Sequence, residues 1–291
     1  MSKWIICLIL ISGCQLGAYN RGKLADKQKT KLCFIGDVGR DSPTQGQVAE
    51  ALKNEKCHGI YFAGDIIYPG GLGTARDQEA ETKFFKYYRP LTTIDNQPKL
   101  HIALGNHDYH NNPDVWTDIA RREDSVVAPA RYYFQDLSPV CIVILDTEPI
   151  RFNYQFFRNQ GQLKWIKEQK KTLKENCKLK IAIGHHPYFN SKTERGHAKR
   201  KIRSFLDDHV IGEFDFYIAG HDHVMSYEGA RQGTELFITG AGGTPHEGHR
   251  AGYMTMEIDE TPGKLKVQTA IKELSATGEV LSPSYSMTKE F

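Results

Sequence analysis

Nothing in this 291-residue chain groups charge of one sign: 38 Lys and Arg against 35 Asp and Glu leave a formal net charge of +3. That balance points away from a nucleic-acid partner. Long apolar runs are missing too, since the stretch from Trp4 to Ile11 is too short to span a bilayer as a mature helix. No P-loop or dinucleotide fingerprint is present. The six cysteines lack the paired spacing of a zinc knuckle. Internal repeats and low-complexity segments are absent, which excludes solenoids and leaves no sign of disorder. What is present is ordinary for a globular protein: 40% hydrophobic and 25% charged residues, enough to bury a sizeable core. The length fits one layered α/β domain with extras.

The N-terminus "MSKWIICLILISGCQLG" places Lys3 before the short apolar run and small residues before Cys14, the order of an export signal. Ile11-Ser12-Gly13-Cys14 also resembles the lipobox of bacterial lipoproteins. That resemblance implies a signal over residues 1–13, lipidation of Cys14 and a membrane-anchored protein of the cell envelope or periplasm. The alternative is an ordinary secretory signal with an incidental cysteine. Residues 15–30 are polar and aperiodic, as expected of a tether, and residues 31–291 form the remaining domain. Cys7 would leave with the signal, so Cys33, Cys57, Cys141 and Cys177 remain, with three possible pairings in an oxidising compartment. Cys33 and Cys141 lie inside apolar runs, where small buried hydrophobes are expected.

Short apolar runs at "KLCFIG", "GIYFAG", "KLHIALG", "CIVILD", "KLKIAIG", "FDFYIAG" and "ELFITG" predict strands covered on both faces. Helical patterns lie between several of them: "TQGQVAEALKNEK", "EAETKFFKYY", "NQGQLKWIKEQKKTLKEN" and "KRKIRSFLDDH". The alternation predicts a layered α/β fold. After residue 250, "YMTMEID" and "KLKVQTAIK" alternate as an antiparallel closing portion.

Polar residues collect where the strands stop, at "GDVG" (36–39), "GDIIY" (64–68), "GNHD" (105–108), "GHHP" (184–187) and "GHDH" (220–223). Ligands in open α/β sheets gather outside the carboxyl ends of strands. Together the exits offer Asp37, Asp65, Tyr68, Asn106, His185, His221 and His223. This nitrogen and oxygen set without thiolate selects iron, zinc or manganese.

In order and spacing these five blocks resemble the signature blocks of the calcineurin-like metallophosphoesterases, and within them the small purple acid phosphatases. "ARYYFQ", "CIVILDT" and "GQLKWIKEQ" are similar to secondary segments of that group. Gly39, where protein Ser/Thr phosphatases carry a histidine, and Tyr68, which they lack, narrow the resemblance. It covers roughly residues 31–250 and implies a four-layer α/β/β/α sandwich.

The resemblance also implies two metal ions bridged by Asp65. Fe(III) would take Asp37, Asp65, Tyr68 and His223, the phenol ionising on a strongly acidic cation. Fe(II), Zn or Mn would take Asp65, Asn106, His185 and His221. The implied reaction is hydrolysis of a small phosphate monoester at acidic pH, by a hydroxide generated on the metals. His107 matches a histidine that contacts phosphate and helps protonate the leaving oxygen. A further family histidine falls in "SKTERGHAK", where strict register gives Arg195 and His197 lies two residues on. His197 is expected as the acid and Arg195 as a phosphate contact.

Two other classes are compatible with the sequence: a phosphodiesterase or nucleotide hydrolase with Zn or Mn in both sites, and a non-catalytic binding lipoprotein. His58, His101 and His209 read as structural, and His186 should point away from its neighbour's site. His110, His246, His249 and Arg250 are candidates for the substrate mouth.

Overall fold

Successive side chains of a strand point to opposite faces, and the strand Lys29–Ile35 shows the rule. Leu32 and Phe34 enter one apolar cluster, while Cys33 and Ile35 enter another. The computed structural model describes residues 18–21, 29–94, 96–151, 156–193, 196–197 and 199–291. In chain order the strands are β1 (Ala18–Arg21), β2 (Lys29–Ile35), β3 (Gly59–Ala63), β4 (Lys99–Ala103), β5 (Val126–Val127), β6 (Tyr133–Leu137), β7 (Val140–Ile144) and β8 (Leu179–Ile183). They continue with β9 (Phe189–Asn190), β10 (Gly196–His197), β11 (Phe216–Ala219), β12 (Met225–Arg231), β13 (Thr234–Thr239), β14 (Gly252–Thr261), β15 (Lys264–Glu273) and β16 (Tyr285–Glu290). The main helices are α1 (Pro43–Glu55), the run α2 over 78–88, α3 (Val115–Ala120), α4 (Phe156–Asn176) and α5 (Arg200–His209).

Two seven-stranded sheets result, in the orders β1-β6-β7-β8-β11-β13-β12 and β16-β15-β14-β2-β3-β4-β5. Leu32, Phe34, Tyr61, Met254 and Met256 of one sheet meet Ile142, Ile144, Ile181, Ile218 and Phe237 of the other in a shared core. On the outer face of the second sheet, Val48, Leu52, Phe84, Tyr88 and Trp116 bring α1, α2 and α3 down onto Ile60, Phe62 and Ile102. On the outer face of the first, Ile166 and Leu173 of α4 and Phe205 and Leu206 of α5 cover Val143, Ala182 and Tyr217. The layers are therefore α/β/β/α, as the resemblance implies, and the seven apolar runs all form strands. "YMTMEID" and "KLKVQTAIK" pair antiparallel over the whole of β14 and β15, extended by β16.

Local chemistry sets the element ends. Ser42 caps α1 by accepting the Gln45 N–H at 3.1 Å, with Pro43 next, a cap worth about 1 kcal/mol. The same hydroxyl donates to the Gly243 carbonyl at 2.6 Å, which ties the helix start to the loop after β13.

Two findings differ from the sequence reading. Cys33 bonds to Cys57 and Cys141 to Cys177, so the two strand cysteines are disulfide partners as well as buried residues. Each bridge joins a strand to the end of the helix that follows, where the βα crossover brings the chain back over the strand. Closing loops of 24 and 36 residues stabilises by about 3–4 kcal/mol each on the chain-entropy estimate. Second, Ala18–Arg21, in the stretch read as a tether, pairs parallel with β6. The signal segment and Cys14 lie outside the described residues.

Candidate metal centre

Five strands deliver the site, and they come from both sheets. β2, β3 and β4 lead to Asp37, Asp65 with Tyr68, and Asn106 with His107. β8 and β11 lead to His185, and to His221 with His223. The rims are stitched where the sheets meet: the Gly36 N–H donates to the Thr239 carbonyl at 2.7 Å and the Gly242 N–H to the Gly36 carbonyl at 3.1 Å. Close approach is enforced by glycine. A Cβ on Gly105 would stand 2.2 Å from Asp65 Oδ1, and one on Gly64 (φ +88°) 2.4 Å from His185 Nδ1. Asp37, Asp65, His221 and His223 themselves adopt positive φ, between 48° and 74°. Four such residues in one place are a concentration of backbone strain of the kind found at functional sites.

The seven predicted side chains converge as two groups that share Asp65. In the first, the Tyr68 hydroxyl lies 2.9 Å from Asp37 Oδ1, 3.0 Å from Asp65 Oδ2 and 3.0 Å from His223 Nε2. In the second, His185 Nε2 lies 3.3 Å from Asp65 Oδ2, 3.2 Å from Asn106 Oδ1 and 3.2 Å from His221 Nδ1. Asp65, His185 and His221 alone already offer ligand atoms within 4.8 Å of one another.

The donor chemistry fits cations. The Ala63 carbonyl takes the Nδ1–H of His185 at 2.8 Å, and the Thr244 carbonyl that of His223 at 2.9 Å. Both Nε2 lone pairs are thereby aimed inward. In each group, lone pairs thus face lone pairs at about 3 Å, the mutual spacing of atoms that bind one ion at about 2.0–2.2 Å. Asp37 and Asp65 are 0% and 2% exposed, yet among the described residues their only ion-pair partners are histidines. Buried carboxylates held only by imidazoles are costly unless further positive charge joins them.

Electrostatics agree. Burial lifts the Tyr68 phenol well above its usual 10, and Asp37 and Asp65 lift it further. Burial opposes a charge on His185, but Asp65 beside it dominates and raises its pKa to about 10. Asp65 is held low because His185 and His107 outweigh the burial that opposes its charge. Without metal, protons on Tyr68 and His185 occupy the positions cations would take.

Around this core, the His107 N–H donates to Asp65 Oδ1 at 2.7 Å, and its ring leans on Tyr68 with centroids 4.3 Å apart. His107 and His110 both direct Nδ1 to the Pro69 carbonyl. The His246 N–H donates to the His223 carbonyl at 2.8 Å, so loop 244–250 borders the same group. His186 turns its nitrogens to Thr147 and Glu148, away from the two groups, although its ring packs 4.6 Å from that of His221. His101 stacks on Tyr61 and His58 accepts the Lys31 N–H. His209 closes α5 against Phe205.

His197 is described only through its backbone, which pairs with Phe189. The side chain of His197, and Arg195 altogether, lie outside the described residues. The adjoining Asn190 donates to Asp222 Oδ2 at 2.8 Å, which fastens that hairpin to the β11 exit.

Sequence reasoning missed Asp108, whose carboxylate receives the Gly105 N–H at 2.8 Å and the Ile66 N–H at 3.2 Å. It locks two exits together from beneath. Its place in "GNHD" was the available signal. It also missed Arg40, whose guanidinium lies 3.8 Å above the Tyr68 ring.

Known proteins resemble this chain in sequence and in fold. Tartrate-resistant acid phosphatase type 5 of Sus scrofa is 24% identical, with 95% of this chain and 92% of the relative covered. Purple acid phosphatase 3 of Arabidopsis thaliana is 26% identical over 83% of this chain and 71% of the relative. GAP50, the anchor in the inner membrane complex of Plasmodium, shares the fold at a TM-score of 0.68 and 19% identity, covering 90% and 88% of the two chains. A dimetal phosphatase from Danio rerio does so at 0.59 and 13%, covering 89% and 98%. A family model described as calcineurin-like phosphoesterase matches residues 30–225, a span that contains all seven converging side chains, and the chain belongs to that family.

Proposed function

We propose that the protein is an acid phosphatase that hydrolyses phosphate monoesters at a dinuclear Fe(III)–M(II) centre. The observation that carries this reading is Tyr68, whose hydroxyl is the meeting point of Asp37, Asp65 and His223. Only a strongly acidic cation ionises a phenol held this high, and a bound metal inverts local pKa logic in that way. Asp37, Asp65, Tyr68 and His223 would hold Fe(III); Asp65, Asn106, His185 and His221 would hold Fe(II), Zn or Mn. When bound, such a pair supplies Lewis acidity to the phosphoryl group and acidity to the attacking water.

The chain's own groups do the rest. His107 has Nδ1 committed to Pro69, leaving Nε2 at the mouth, 4.0 Å from Asp65 Oδ2. There it can carry a proton to the leaving oxygen. His197 and Arg195, on or beside the hairpin fastened to Asp222, are assigned on the resemblance as leaving-group acid and phosphate contact. Export with lipidation at Cys14 is part of the same reading. The two disulfides support an oxidising compartment.

The test is metal analysis of protein from iron-replete growth, with a visible spectrum and p-nitrophenyl phosphate hydrolysis at acidic pH. Two ions per chain, at least one of them iron, a phenolate-to-iron band and turnover are expected. A colourless, fully active enzyme with Zn or Mn in both sites would instead favour the diesterase or nucleotide-hydrolase class. No hydrolysis with iron and zinc supplied would favour a binding protein.

A further inference from the structure

Arg40 leaves the β2 exit three residues after Asp37. Its backbone N–H is bound to Gln45 Oε1 at 3.0 Å, which fixes where the side chain starts. The residue is exposed, yet its guanidinium rests on the Tyr68 ring, Cζ 3.8 Å from the centroid. Among the described residues that guanidinium meets no carboxylate or carbonyl. The adjacent acid, Asp41, is engaged by Lys86 at 2.9 Å and by Tyr87. A guanidinium whose N–H donors are unspent among the described residues is thus stationed against the one ring whose hydroxyl joins the first ligand group.

Stacking on an aromatic face holds a guanidinium in place while leaving its in-plane donors open. Arg89, Arg131 and Arg231 also stack on aromatic rings, but each of them is paired with a carboxylate. We propose that Arg40 is a substrate-binding residue, whose fork takes phosphoryl oxygens of the substrate while the Tyr68 stack keeps it in position. The inference rests on the reading of the site as a phosphoester site. It adds a determinant that the ligand blocks do not contain. Arg40 would reach the phosphate from the Tyr68 ring, on which His107 also leans.

Such a contact, made before and during reaction, contributes mainly to affinity. The experiment compares metal-loaded wild type, Arg40→Gln and Arg40→Lys by calorimetric binding of inorganic phosphate, steady-state kinetics with p-nitrophenyl phosphate, metal content and thermal midpoint. For Arg40→Gln the phosphate Kd and the KM should each rise about tenfold, with kcat within about threefold and full metal content. Arg40→Lys should recover part of the loss, since an ammonium supplies charge without the fork or the stack. Unchanged phosphate affinity and KM would overturn the inference. So would a fall in metal content or thermal midpoint without a change in phosphate Kd, which would make Arg40 a cover for Tyr68. Wild type that binds phosphate without hydrolysing the ester would sink the catalytic reading while leaving Arg40 testable. No phosphate binding by metal-loaded wild type would end both.

Discussion

At Tyr68 a single hydroxyl proton faces two carboxylate oxygens and an imidazole nitrogen, more acceptors than one O–H can serve. The surplus supports the ligand role proposed for Tyr68, and neighbouring side chains can be sorted by the same test. Asp65 lies in both groups, so Asp65→Ala should abolish binding of both ions, read as metal content after dialysis. The hydrogen bond from His107 to Asp65 is made by its backbone N–H, which alanine keeps, and the ring nitrogen stays 4.0 Å from that carboxylate. His107→Ala should therefore retain both ions while kcat falls about 10²–10⁴-fold; loss of metal would contradict its place outside the ligand set. His101 gives a prediction about acid stability. Burial lowers its pKa from 6.5 to about 3. A histidine that resists protonation when folded stabilises fully above its unfolded pKa, and that stability is lost as pH falls from about 6.5 towards 3. His101→Phe can keep the stack on Tyr61 without the titration, so its unfolding free energy should fall less than that of wild type over that window in denaturant titrations.

Among elements, the strand exits decide how much could be read in advance. Asp37, Asp65, Asn106, His185 and His221 each follow a glycine that ends an apolar run, so local order alone revealed them. The division into two metal groups came from the resemblance, and the distances fall into the same two groups. Contacts between distant segments were not legible. Neither Cys33–Cys57 nor the pairing of β1 with β6 follows from spacing, because each depends on how crossovers return over a sheet. Arg40 carried no local signal, since an arginine after a turn is usually solvated. The exits also yield a test. In Gly105→Ala the new methyl would collide with Asp65 at both Oδ1 and its backbone N. We expect metal affinity to drop by at least tenfold while far-ultraviolet circular dichroism stays that of a folded α/β protein. Unchanged affinity would show that the β4 exit can relax.

On the scale of the whole molecule, the centre lies across the seam between two sheets that otherwise meet through apolar packing. Ions bound there would fasten three strands of one sheet to two of the other. Ligand present at about 1,000 times its Kd stabilises by about 4 kcal/mol, or roughly 10 °C in a domain of this size. Scanning calorimetry with and without chelator should show a shift of that order, with both sheets melting in one transition. A midpoint indifferent to metal would mean that the fold holds the site rigid unaided.

The first strand has a bearing on where this chemistry would take place. β1 runs parallel to β6, with Ala18 beside Tyr133, which lies opposite Ile144, itself beside Ile183. His185 follows two residues after Ile183, so the polypeptide enters β1 at the catalytic rim. From Cys14 to Ala18 is four residues, at most about 14 Å of fully stretched chain. An acyl group on Cys14 would therefore lie within a short stem of this rim. Any such tether would turn that rim, rather than the opposite end of the sheets, towards the lipid.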